Sequence, residues 1–128
     1  MSPSESAADD LLIAPLREIT TVHRIVRGRS GTATLSSLRS HYERDLPPRG
    51  YERRLAVIHM GLSVFSSQDA AQAMALRWPK IGRFLAEMQL EPGSGFCLAD
   101  TGRPGHSTLW GRPLQLRDSI VDIVHIEA

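Results

Sequence analysis

Gly61-Leu-Ser-Val-Phe-Ser-Ser67, running into Gln-Asp-Ala-Ala-Gln-Ala-Met-Ala-Leu-Arg-Trp78 and stopped by Pro79, is the stretch that decides the fold. Leu62 to Phe65 is short, apolar and β-like. Ser66 is placed to cap a helix, with Asp69 three residues on as its capping partner. Ala70, Ala71, Met74 and Ala75 then recur at helical spacing and give the helix Asp69 to Trp78 a small-residue face, suited to close approach to a sheet. Proline ends it. A strand leading straight into a helix that lies back on the sheet is the unit from which the rest is read.

Outward from it, Phe84, Ala86, Met88 and Leu90 alternate with polar neighbours, so Phe84 to Leu90 is a strand. Ile19 to Val26 is β-branched and reads as another. Glu91-Pro-Gly-Ser-Gly95 is expected to be a hairpin turn. Phe96 to Ala99 is short and extended, His106 to Trp110 a further strand, Leu114 to Asp118 a helical turn, and Ser119 to Ile126 a last strand. Thr34 to Arg44 fits a helix with Thr34 as its cap, and Asp45-Leu-Pro-Pro-Arg-Gly50 a loop. Strands outnumber helices and the gaps are short. The expected class is α+β: one compact domain over residues 15–128, a mostly antiparallel sheet, split or curled, and two to three helices, behind a disordered acidic tail over residues 1–14.

Composition sets bounds. The chain has 128 residues, is 41% hydrophobic and 23% charged, and carries a net charge of +1, as in an ordinary globular domain with no global field to draw in nucleic acid. The seven aromatic residues leave a core of Leu, Ile, Val, Ala and Met. A single cysteine, Cys97, forbids an internal disulfide and suits a cytoplasmic location. No apolar run approaches the ~20 residues that span a bilayer. Neither a membrane nor a specific nucleic acid is therefore expected as a partner. The N-terminus lacks the basic and apolar regions of a signal peptide. Cations are nearly all arginine: fourteen against Lys80, with nine Arg facing four acids between Arg17 and Arg54. The planar guanidinium suits phosphate or carboxylate.

The chemistry-bearing residues are few. His23, His41, His59, His106 and His125 show no zinc-like spacing with one another or with Cys97, so no metal is expected. Cys97, between Phe96 and Leu98, reads as a buried, inert thiol. No Gly-x-Ser-x-Gly elbow occurs. His23-Arg24 stands on the first strand, where neighbours point to opposite faces. Ser63 and Phe65 share one face of the strand before the helix. Thr101-Gly-Arg-Pro-Gly-His-Ser-Thr-Leu-Trp-Gly-Arg-Pro113 is rich in turn formers and presents His106, Ser107, Thr108 and Trp110.

The order of these features resembles the small bacterial ADP-ribosyltransferase-like proteins, of the rifampicin-modifying and RES toxin types. An early strand carries His-Arg. Gly61 to Ser67 then stands where that family has a Gly-Ile-Tyr-Phe-like strand leading into an alanine-rich helix. The layout extends over residues 19 to 126, and the sequence likeness over Gly61 to Ala75. The resemblance implies NAD as the bound substrate and an unidentified acceptor. It places His23 or Arg24 as the ribose anchor, Ser63 where many members carry the cleft tyrosine, and Phe65 beside it. Glu87, Glu127 and His106 are then the candidate catalytic residues. The alternative is a non-enzymatic interaction protein, an antitoxin, immunity-like partner or regulatory subunit, acting through a protein partner. The expectation to be tested is that Arg24, Ser63 and His106 line one concavity.

Overall fold

The computed structural model describes residues 13–29, 37–38, 40, 58, 60–101 and 104–126. Among the described residues, seven strands and two helices follow in the order β1 (Ala14–Pro15), β2 (Thr20–Val26), β3 (Leu62–Phe65), α1 (Gln68–Arg77), β4 (Phe84–Leu90), β5 (Cys97–Asp100), β6 (His106–Trp110), α2 (Pro113–Asp118) and β7 (Ile120–His125). All strands join one antiparallel sheet of order β1-β5-β6-β3-β2-β4-β7. The domain is α+β with the sheet dominant. Of the expected helix at Thr34 to Arg44 only residues 37, 38 and 40 are among the described residues, and Glu127 lies outside them. So do His41 and His59.

Alternation along each strand sends side chains to two faces, and both faces are packed. Val22, Leu62, Val64, Met88, Leu90 and Leu109 meet Leu38, Phe96 and Leu116 on one face. Ile25, Phe65, Leu85 and Ile126 meet Ala71 and Ala75 of α1 on the other. The small-residue face of α1 does what its sequence predicts: Ala71 and Ala75 are buried and Ala70 and Met74 pack beside them. The cap lies one residue later than the capping-box spacing suggests. Ser67 caps α1, its side chain accepting from the Ala70 N–H at 3.1 Å, while the Ser66 hydroxyl donates to the Gly105 carbonyl. A serine at either position can satisfy an orphan N-terminal donor, so spacing alone does not choose between them.

Three further expectations are corrected. Gly93 and Gly95 do adopt positive φ, 81° and 87°, but β4 and β5 are not neighbours: β4 pairs with β2 and β7, and β5 with β1 and β6. The segment is a crossover between the two halves of the sheet, not a hairpin. Ala14 is no part of a free tail, since it pairs with Leu98 at the edge of the sheet. Cys97 is half-buried rather than buried, because β5 is flanked on one side by the two-residue β1 alone.

Where α1 returns to the sheet, Gly82 lies against the backbone of β2. A Cβ there would stand 2.6 Å from the Val26 carbonyl oxygen and 2.9 Å from its carbon. Backbone locked in a ladder cannot give way. Gly82→Ala is expected to destabilise by roughly 1–3 kcal/mol, the cost of overpacking, and thermal unfolding will show it as a lowered midpoint. An unchanged midpoint would mean that the chain enters β4 by another path.

Candidate functional site

The strand register assembles a row that no local motif announces. Asp122 on β7 faces Glu87 on β4, Glu87 faces His23 on β2, His23 faces Phe65 on β3, and Phe65 faces His106 on β6. Directly paired residues share a sheet face, so all five side chains leave the same side. Ser63, two residues before Phe65, is on that face as well and is exposed. The face is apolar beneath α1 and polar beyond it. His23 is 8% exposed at this boundary, Glu87 and His106 are half-buried, and Asp122 is exposed.

The row crosses the sheet at its narrowest joint. β2 and β3 share a single paired position, His23 with Phe65, whereas β2 and β4 share seven. One ladder pair therefore joins the β1-β5-β6-β3 half to the β2-β4-β7 half, and His23 stands in it. Glu87 and Asp122 meet next to it. Carboxylates directly opposite each other on neighbouring strands are unfavourable.

Arg24 is not part of this group. As the neighbour of His23 on a strand it leaves the opposite face. Its guanidinium donates from Nε and Nη2 to the Ser37 carbonyl, at 3.1 and 3.0 Å, and from Nη1 to the Ser63 carbonyl at 2.8 Å. It ties together backbone segments that the brief β2–β3 pairing leaves apart. Arg24, Ser63 and His106 therefore do not line one concavity. Alternation fixes that His23 and Arg24 diverge but not which of them faces the site. Arg24→Met is expected to lower stability by roughly 1.5–3 kcal/mol, the range for hydrogen bonds from a charged group. Binding of any ligand on the His23 face should be unchanged while the variant is folded. Unaltered thermal stability would contradict the assignment.

His106 is held rigidly. Its Nδ1–H donates to the Thr101 carbonyl at 2.6 Å, and Thr101 Oγ1 lies 3.2 Å from the same nitrogen. A carbonyl oxygen only accepts, so Nδ1 carries the proton and the neutral ring keeps its lone pair on Nε2. Thr101 Oγ1 is in turn 2.8 Å from the buried Thr108 Oγ1. Phe65 packs edge-on to the imidazole, with centroids 5.4 Å apart. Phe65 is thus a core residue beneath α1 that backs His106, rather than an open surface for a nicotinamide ring. Among the described residues no group of three His, Cys, Asp or Glu side chains gathers as a metal site.

Sequence reading missed Asp122 and the Thr101–Thr108 pair. Asp122 had a signal, as the lone acid within the β-branched run Ile120 to His125. Thr101 had none, because its role depends on the register of β5 with β6. No helix among the described residues is long and apolar enough to cross a membrane. Comparison with known proteins finds no matching family model, no significantly similar curated protein and no significantly similar solved structure.

Proposed function

We propose that this domain binds NAD on the His23 face and breaks its ribosyl–nicotinamide bond, passing ADP-ribose to an acceptor or to water. The observation that carries the reading is that His23, Ser63, Glu87 and His106, four residues singled out for this chemistry, leave the same face of the sheet. The single paired position between the sheet halves also fits a split or curled sheet opening around a cleft.

In this reaction the bond between ribose C1′ and the nicotinamide nitrogen breaks, and nicotinamide leaves with the electron pair. Positive charge develops on the ribose. A carboxylate fixed in place stabilises that charge without reorganising at the moment of reaction, and Glu87, next to His23, is the group suited to it. The His23 imidazole and the Ser63 hydroxyl are hydrogen-bonding groups of the kind that hold a ribose or a carboxamide. The His106 Nε2 lone pair takes the proton of the attacking hydroxyl. Arg24 is withdrawn to the other face, so the pyrophosphate receives no grip from it and recognition rests on the ribose and nicotinamide end.

The test is release of free nicotinamide from NAD by the purified protein, followed by chromatography. The reading expects release that depends on the folded protein and rises with its concentration. Release no faster than in buffer, with and without added protein acceptors, would remove the enzyme reading.

A further inference from the structure

Leu76-Arg-Trp-Pro-Lys-Ile-Gly-Arg83 runs from the end of α1 to the start of β4 and interleaves three large apolar side chains with three cations. Its turn is closed by the Ile81 N–H donating to the Trp78 carbonyl at 3.0 Å, which leaves Pro79 and Lys80 at the corner. Leu76, Trp78 and Ile81 are all exposed, and Trp78 is 54% accessible. Arg77, Lys80 and Arg83 are exposed too. Gly82 sits against Val26, so the end of β2 and its following Arg27 and Arg29 lie alongside; Arg29 is stacked 5.3 Å above the Phe84 ring. Five cations thus border the apolar turn. The single ion pair among the described residues, Arg117 with Asp118, lies elsewhere, so none of the five is neutralised by a described acid.

We propose that this turn is a docking surface for an anionic phospholipid bilayer. An exposed indole, with the Arg77 guanidinium 5.7 Å from its ring centroid, and two exposed aliphatic side chains match the headgroup–acyl boundary, where an amphipathic Trp is favoured. The bordering Arg and Lys match lipid phosphates, and each adds attraction to a negatively charged leaflet. A nucleic-acid strand would use the cations and stack on Trp78, but it would leave Leu76 and Ile81 in water; the bilayer takes all three. The absence of a spanning run bears only on crossing a membrane, not on lying against one. The surface lies off the His23 row and does not depend on the NAD reading.

The experiment is co-sedimentation of the full chain with vesicles of phosphatidylcholine alone and of phosphatidylcholine containing phosphatidylglycerol, beside a single-stranded oligonucleotide in solution. The expected result is binding to the anionic vesicles alone, with a blue shift of tryptophan emission that disappears in Trp78→Ser. The combined Arg77→Gln, Lys80→Gln and Arg83→Gln variant, whose changed positions are all exposed, should partition about a hundredfold less, at about fivefold per charge. It should keep the native unfolding midpoint. No vesicle binding, equal binding to neutral vesicles, unaltered binding by the triple variant, or oligonucleotide binding in place of vesicle binding would each overturn the proposal.

Discussion

Ala71→Asp is expected to destabilise the domain by roughly 3–5 kcal/mol, the largest single effect on stability foreseen here. Ala71 is 0% exposed and packs with Ile25, Phe65 and Leu85 on the α1 side of the sheet. A carboxylate there loses its water and gains no partner, since the cluster around it is aliphatic and aromatic. Such a loss is a large part of the 5–15 kcal/mol that holds an ordinary domain together. Chemical denaturation should show the midpoint collapse or the variant fail to fold. Ala73→Asp, at an exposed position of the same helix, is the control and should change little. Equal tolerance of both substitutions would mean that α1 does not lie on the sheet as described.

The second large effect falls on chemistry. Glu87→Gln keeps the size and the strand position of Glu87 but removes the negative charge. If Glu87 stabilises the ribosyl cation, nicotinamide release should fall by about 10²–10³-fold, the range for losing one preorganised electrostatic group. Binding of NAD and the unfolding midpoint should stay close to native. Removing the charge also relieves the Glu87–Asp122 opposition, so a slight gain in stability is consistent with the account. Unchanged turnover would assign the carboxylate role elsewhere, with Asp122→Asn as the next variant to measure.

Much of the fold was legible because its signals are local. The alternation from Phe84 to Leu90, the β-branched run ending at Val26 and the alanines of α1 each depend on near neighbours, and each element appears within a residue or so of its expected bounds. The order of strands was not legible. Gly93 and Gly95 advertise a turn, but positive φ serves a crossover as well as a hairpin, and only long-range pairing decides. The two-residue β1 has no pattern at all and exists because β5 offers it an edge. The site was legible in kind rather than in place. His23, Ser63 and His106 could be named from residue type and strand periodicity, and Glu87 only through the resemblance. That they share a face, that Arg24 does not, and that Phe65 belongs to the core follow from register. Glu127, a candidate only through the resemblance, lies outside the described residues.

The central claim is that the His23 face takes NAD. Calorimetric titration of NAD into the native protein and into His23→Ala tests it most directly. The account predicts saturable binding by the native protein below millimolar ligand. His23→Ala should bind about 2- to 13-fold more weakly, corresponding to roughly 0.5–1.5 kcal/mol for a lost hydrogen bond, with the variant still folded. No heat of binding at millimolar NAD from folded native protein, or native affinity in His23→Ala, would contradict it.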